Sequence, residues 1–175
     1  MKKLLKLLSY ILIMLALILL FLPKINLYYA GEALMQEQKI FISDEAIADR
    51  GFYLELSNAN FLFDKLDLAE VETIRLSTLF FYNSLNFDNI HVNEGFSDFL
   101  PLEIKTISAQ HVIYNPTQIT LKGESEDSYF YGKIDLVERL ISIHLRMGAL
   151  SEKRYKSMLS KFDTEEGGYV YEYKF

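Results

Sequence analysis

The 175 residues contain no cysteine and no tryptophan, and only three histidines. The absence of cysteine excludes a disulfide scaffold, a thiolate-ligated metal site and a thiol nucleophile. The histidines, at positions 91, 111 and 144, lie too far apart for the local spacing of most zinc sites. Phenylalanine and tyrosine are plentiful instead, with 13 and 12 copies, and half of the residues are hydrophobic. This composition excludes a wholly disordered chain.

Sequence motifs of the common catalytic sites are also missing. The chain has no phosphate loop, dinucleotide fingerprint, G-x-S-x-G elbow, H-E-x-x-H helix or EF-hand loop. Acidic residues gather at 64–72 and 124–127, where solvated turns explain them. We therefore expect a protein that is not an enzyme, with no catalytic residue, no metal site and no cofactor.

Charge divides the chain unevenly. Residues 1–24 hold four lysines and no acidic residue, whereas residues 25–175 hold 14 basic and 24 acidic side chains. A domain with a net charge of −10 is a poor match for nucleic acid, because phosphate binding needs clustered lysine and arginine. We expect no nucleic-acid partner.

Residues 4–22 form an apolar segment of the length needed to cross a membrane. Nineteen residues in a helix measure about 28 Å, close to the hydrocarbon thickness of a bilayer. Lysines 2 and 3 precede the segment, Lys6 lies near its start and only Lys24 follows it, which places the N-terminus in the cytoplasm and the rest across the membrane. The residues up to Ala30 lack an A-x-A site, which favours an uncleaved signal anchor over a cleaved signal peptide. We expect a single-pass membrane protein whose residues 25–175 lie on the far side of the membrane from the cytoplasm.

The pattern predicts three parts: the cytoplasmic tip and anchor (1–23), a juxtamembrane helix (24–39) and a β-rich domain (40–175). Helical spacing of Leu27, Ala30, Gly31 and Leu34 predicts the buried face of the juxtamembrane helix. Apolar residues then alternate with polar ones, as in 52–57, 141–147 and 169–175, which is typical of strands with one buried face. The fold class is mainly β, a curved antiparallel sheet of about eight to ten strands with a short helix near each end.

Two irregularities refine this prediction. The alternation slips by one residue within 85–92 and 102–109, which predicts bulges in long, bent strands. Near the C-terminus, Tyr155, Met158, Leu159 and Phe162 have helical spacing, and Ser151 is a plausible N-cap.

Two predicted strands, Leu79–Tyr82 and Tyr129–Tyr131, are apolar on both faces. A single-layer sheet cannot bury both, so the chain itself, a partner or an acyl chain must cover the second face. We favour burial by the chain itself. The candidate face for an apolar partner or lipid comprises Phe80, Phe81, Tyr82, Tyr129, Phe130 and Tyr131.

The order of these features resembles the type II secretion system protein N family and its AsmA-like relatives. The residues that carry the resemblance are Phe21-Leu-Pro23, the segment GFYLELSNANFLF (51–63), 76–92, Gly132-Lys-Ile-Asp135, Met158-Leu-Ser-Lys-Phe162 and Gly167-Gly-Tyr-Val-Tyr171. The lipopolysaccharide-transport protein C family has a similar layout of anchor and β domain. Such a resemblance implies an inner-membrane protein with a periplasmic β domain and no catalytic residues.

Two functions follow as expectations. The first is a non-enzymatic envelope protein that acts as an assembly or scaffolding component of a type II secretion-like apparatus, with envelope proteins as partners. The alternative is a lipid or lipopolysaccharide carrier with an acyl-chain groove in its β domain. An open groove would favour the carrier, and a closed core would favour the scaffold.

Overall fold

The computed structural model describes residues 2–79, 81–97 and 100–175, and it begins with the apolar helix α1 (Lys2–Leu20). None of the residues of α1 is buried against the rest of the chain. The helix is long and apolar enough to cross a membrane, consistent with a single-pass anchor or a signal sequence. Leu20, the last residue of α1, lies against Gly51 of the domain.

The second helix, α2 (Lys24–Glu37), follows after residues 21–23 and packs against the first strands of the sheet. The predicted helix is confirmed, but its predicted buried face is wrong. Lys24 and Tyr28 are the buried residues, whereas Leu27 and Leu34 are exposed. Helical spacing identified the periodicity but not the side on which the sheet would lie.

The remaining elements form one antiparallel sheet, which confirms the mainly β fold. Its strands are β1 (Ile40–Ser43), β2 (Ala46–Asp49), β3 (Tyr53–Phe63), β4 (Leu66–Thr78), β5 (Tyr82–Val92), β6 (Glu103–Val112), β7 (Asn115–Ser125), β8 (Ser128–Asp135), β9 (Leu140–Met147), β10 (Asp163–Glu165) and β11 (Gly168–Lys174). The order is β1-β3-β4-β5-β6-β7-β8-β9-β11-β10, with β2 beside β1 on the outer edge of β3. The two edges do not meet, so this 11-stranded sheet is open among the described residues.

Bulges bend the long strands. The register shifts between Phe61 and Leu62 in β3 and between Ile104 and Thr106 in β6. The second shift lies within the predicted slip at 102–109. In β5, Asn89 adopts a positive φ of 54° within the slip predicted for 85–92, a conformation that asparagine tolerates better than most residues.

Local structure differs from the expectation at two places. Leu79 and Phe81 do not belong to a strand: β4 ends at Thr78 and β5 begins at Tyr82, so among the described residues of the predicted strand Leu79–Tyr82 only Tyr82 is in one. The C-terminal helix is split into α3 (Ala149–Arg154) and α4 (Lys156–Leu159), and Gly148 occupies the N-cap of α3. Ser151 is therefore not the N-cap.

The core lies on one face of β3, β4 and β5, beneath α2. Its buried residues are Tyr28, Leu54, Leu56, Ala59, Val71, Ile74, Ile90 and Val92. Half-buried apolar residues of β6 pack against this cluster, so the apolar surface continues beyond the part that α2 covers.

Candidate apolar binding site

Two rows of apolar residues cross the inner face of the sheet, the face on which α2 packs. Directly paired residues of neighbouring antiparallel strands point to the same face, so the register defines each row. The first row is Leu56, Ile74, Phe87, Ile107, Gly123, Phe130, Leu145 and Tyr169. The second is Leu54, Leu76, Leu85, Ala109, Leu121, Gly132, Ile143 and Tyr171. We call these two rows the inner stripe.

The row between them, on the opposite or outer face, is mostly polar. It comprises Glu55, Arg75, Asn86, Ser108, Lys122, Tyr131, His144 and Val170. One face of the sheet is therefore built for water and the other for apolar contact. The inner stripe needs a cover along its whole length.

That cover is incomplete. Under α2, Leu54 and Leu56 are 0% and 1% exposed. Along the middle strands, Leu85, Ala109 and Leu121 are only half-buried. The chain therefore covers the inner stripe beneath α2 and leaves it partly uncovered along the middle strands.

An apolar cavity of about 340 Å³ occupies the C-terminal half of the inner face. It lies between β6–β9 and the segment that contains α4. Its lining includes Leu100, Ile104, Ile107, Phe130, Ile143, Leu145, Met147, Met158 and Phe162. This volume is near the lower end of the range of ligand pockets, and its walls are almost wholly apolar.

Contacts from the β7–β8 turn hold the helical wall of this cavity. The backbone N–H of Gly148 donates to the carbonyl oxygen of Asp127 (2.8 Å), and Ser151 Oγ donates to Oδ1 of Asp127 (2.7 Å). On α4, Leu159 is buried, and the ring of Phe162 lies 5.2 Å from that of Tyr171 between centroids. Phe162 thus packs on Tyr171 of the last strand.

A glycine makes room for the aromatic ring in the cavity floor. Gly123 and Phe130 are paired residues of β7 and β8, and the Phe130 ring lies over the Gly123 backbone. A Cβ at position 123 would overlap this ring. The orientation of Phe130 therefore depends on a residue without a side chain.

Charged pairs organise the outer face of the N-terminal strands. Arg50 donates to Oε1 of Glu55 at 2.8 Å, and Arg75 bridges Glu55 and Asp88. Hydrogen bonding from Arg50 holds the pKa of the Glu55 carboxyl below its usual value, and the same contact raises the pKa of Arg50. These exposed pairs fix side chains on the polar face and offer no reactive group.

The six residues of the predicted apolar face do not form one surface. Phe130 points into the cavity, whereas Tyr129 and Tyr131 lie on the outer face. There Tyr131 stacks on His144 with ring centroids 4.8 Å apart, and Tyr129 contacts Arg146. Phe81 is exposed between β4 and β5, and Tyr82 begins β5. Phe80 lies outside the described residues.

Among residues 2–79, 81–97 and 100–175, no group of three or more acidic or histidine side chains is placed to hold a metal ion. The histidines lie on β5, β6 and β9. His111 has Nε2 3.1 Å from the carbonyl oxygen of Pro116, so it contributes to the local strand geometry.

Comparison with protein-family models, with curated proteins and with solved structures finds no match. The function must therefore be argued from the inner stripe, the cavity and the anchor.

Sequence reasoning identified Phe130, Met158 and Phe162 but missed most of the cavity. Ile104, Ile107, Ile143 and Leu145 were predicted to be ordinary strand residues, and nothing local distinguishes them from a closed core. Their shared position follows from the register of four strands, which period-two alternation does not specify.

Proposed function

We propose that the protein is a non-enzymatic, single-pass membrane protein whose β domain shelters an apolar chain, such as the acyl chain of a lipid, on the inner face of its sheet. The observation that carries this proposal is the inner stripe, which is continuous across the sheet and ends in a largely apolar cavity. An open groove was the arrangement that favoured a carrier over a scaffold.

The chemistry of the cavity supports an apolar occupant. Burial of a methylene group in such a site contributes about 0.8 kcal/mol, so several methylenes are needed for stable binding. The cavity of about 340 Å³ and the half-buried stripe beside it supply a continuous apolar surface for that. No charged side chain is required for recognition of the chain itself.

The localisation belongs to the same proposal. Lys2, Lys3 and Lys6 in the first turns of α1 support an N-terminus in the cytoplasm and a β domain in the periplasm of a bacterial cell. A reporter fused after Phe175 should then be active only outside the cytoplasm. Cytoplasmic activity would overturn the envelope assignment.

The test of the carrier uses two neighbouring residues on opposite faces. Full-length protein carrying Phe130→Glu or Tyr129→Glu is purified in detergent, and bound lipid is measured by native mass spectrometry and by cross-linking to a photoactivatable fatty acid. Phe130 lines the cavity, whereas Tyr129 is exposed on the outer face. We expect the wild type and Tyr129→Glu to carry lipid and Phe130→Glu to lose it.

An uncharged variant separates loss of binding from loss of folding. Ile143→Phe puts a larger side chain into the cavity and so reduces its free volume without adding a polar group. This variant should reduce lipid cross-linking while leaving the circular dichroism spectrum unchanged. Absence of lipid in the wild type would contradict the carrier. Equal lipid cross-linking in the wild type and in Ile143→Phe would also contradict it.

A second candidate is an assembly component of a secretion-type apparatus, as the family resemblance implies. The edge of β11 favours it: β10 pairs only with Gly168–Val170, and no other described strand pairs with the outer edge of residues 171–174. Unpaired backbone groups of this kind can accept a strand from a partner. Photo-cross-linking from Tyr173 in cells should trap an envelope protein if this candidate is correct, and trap none if it is wrong.

A further inference from the structure

The connections at one end of the sheet are unusually apolar. In the meander, β2–β3, β4–β5, β6–β7 and β8–β9 are all joined at the same end, which we call the α1 end because the last turn of α1 meets it. These connections read RGF (50–52), LFF (79–81), IY (113–114) and LVER (136–139). Each of them carries an exposed large apolar side chain: Phe52, Phe81, Ile113, Tyr114, Leu136 and Val137.

Turns of a water-exposed sheet normally carry polar residues and glycine. Tyr114 is 85% exposed and Val137 is 73% exposed, so these side chains do not serve the core. The opposite end differs in charge: its connections include Asp64-Lys65, Glu126-Asp127 and Glu165-Glu166. It also exposes Phe63, Leu66, Leu100 and Leu150, but among charged residues.

The position of α1 identifies what lies against the apolar turns. Leu20, the last residue of α1, packs on Gly51 in the first of these turns, so close that a Cβ at position 51 would lie 2.9 Å from Leu20 Cδ2. Residues 21–23 link α1 to α2 and span roughly 10 Å at most. The α1 end therefore cannot move far from the membrane that α1 crosses.

A buried ion pair strengthens this attachment. Lys24, the first residue of α2, places its ammonium group 3.6 Å from Asp49 Oδ1 at the end of β2. The side chain of Lys24 is fully buried there. The junction between the anchor and the sheet is thus packed, and it lies directly beside the turn that carries Phe52.

We propose that the apolar turns at the α1 end insert into the interfacial layer of the same bilayer that α1 spans, so that the sheet stands on the membrane. From β3 to β9 the row of turns covers six strand spacings and is roughly 29 Å long, given about 4.8 Å between neighbouring strands. Aromatic and aliphatic side chains at this depth gain apolar burial, and tyrosine is enriched at membrane interfaces. Arg50 and Arg139 flank the inserted residues, where they face lipid headgroups. The inference requires α1 to be a membrane anchor and is independent of what the cavity binds.

The absence of tryptophan makes a direct test available. Single tryptophans are introduced into the full chain as Tyr114→Trp at the α1 end and as Leu66→Trp at the opposite end, where Leu66 is also exposed. Each variant is reconstituted into vesicles of phosphatidylcholine and phosphatidylglycerol, with or without brominated acyl chains. Strands of about 35 Å separate the two reporters, so only one can reach the bilayer.

We expect the Tyr114→Trp reporter to emit at shorter wavelength, to be quenched by brominated lipid and to be protected from aqueous acrylamide. The Leu66→Trp reporter should show the reverse. Equal acrylamide quenching at both positions would overturn the proposal. Protection of position 114 without quenching by brominated lipid would also overturn it, and would indicate a protein partner or a second copy instead.

A third reporter, Tyr10→Trp, lies in the middle of α1 and tests the anchor itself. Quenching there by brominated lipid, combined with none at position 114, would refute turn insertion and leave the anchor intact. Absence of quenching at position 10 would overturn the proposal together with the anchor on which it depends. Neither result bears on whether Phe130 contacts an acyl chain, which is measured separately.

Discussion

The ammonium group of Lys24 lies 3.6 Å from Oδ1 of Asp49, and the lysine side chain is fully buried while that of Asp49 is about one-third exposed. Nζ of Lys24 is also 3.4 Å from the carbonyl oxygen of Leu22. A buried ammonium group that loses its partner is costly, whereas replacement of both groups by uncharged ones is tolerated better. This pair joins the anchor side of the chain to the sheet.

We predict that Asp49→Asn destabilises the full-length protein by about 1–3 kcal/mol. The asparagine keeps the oxygen that accepts from the Gly51 N–H, so the turn is preserved and the loss reports on the ion pair. Lys24→Met combined with Asp49→Asn should be more stable than Asp49→Asn alone. Denaturant unfolding in detergent micelles measures each variant, and additive losses would show that the two groups are not coupled.

The hydroxyl of Tyr28 donates to Oε1 of Glu45 at 2.9 Å, and burial, followed by this hydrogen bond, raises the pKa of Tyr28 well above its usual value. A tyrosine in the unfolded chain has a pKa of about 10. The stabilising contribution of Tyr28 is therefore complete below about pH 10 and is lost as the pH rises towards the folded value.

This linkage predicts a difference between wild type and Tyr28→Phe at alkaline pH. Between about pH 9 and 12, the thermal midpoint of the wild type should fall more steeply than that of the variant. The comparison removes the effect of the other tyrosines and lysines, which titrate in both proteins. Parallel curves would show that Tyr28 remains accessible to ionisation in the folded state.

The sequence predicted the positions of the helices and strands better than it predicted which faces of them pack together. Alternation placed the strand at Tyr129–Tyr131, yet two of its three aromatics face water on the outer side, supported by Arg146 and His144. Strand periodicity also extended into Leu79–Tyr82, where the chain turns. Apolar turns violate the usual composition of a turn, so local reasoning mistakes them for strands.

The face of α2 could not be predicted for a related reason. Leu27 and Leu34 are the more apolar residues, yet the sheet buries Lys24 and Tyr28, whose polar ends reach Asp49 and Glu45. Both partners lie in or next to β2, more than 15 residues away along the sequence. When a helix buries side chains whose polar ends bind partners far along the sequence, the spacing of its apolar residues does not indicate which face is buried.

We predict that Gly123→Ala destabilises the protein through a clash with the Phe130 ring. The added Cβ overlaps the Phe130 ring, so the ring must leave its rotamer and the cavity changes shape. The expected loss of stability is about 1–3 kcal/mol. Adding Phe130→Leu should recover part of this loss, because the smaller side chain leaves room for the Cβ.

Thermal unfolding of the single and double variants measures this coupling. Phe130→Leu could lower the stability of Gly123→Ala by the same amount as it lowers the stability of the wild type. That result would show that the two positions are independent and that the overlap is not the cause of the loss. Lipid cross-linking should fall in parallel with stability only if the Phe130 ring shapes the acyl site.

The last strand offers a matched pair of tyrosines on one face. Tyr171 packs on Phe162 with ring centroids 5.2 Å apart, whereas Tyr173, two residues later, is 52% exposed. Both pair with β9, opposite Ile143 and Ile141 respectively, so they share the same strand environment. We predict that Tyr171→Ala destabilises the protein by roughly 2–4 kcal/mol and that Tyr173→Ala costs less than half as much.

Because Phe162 also lines the cavity, Tyr171→Ala should loosen α4 and increase hydrogen exchange at Leu159, while Tyr173→Ala should leave that exchange unchanged. Equal effects of the two substitutions on stability and on exchange would show that the helix is held by Asp127 alone.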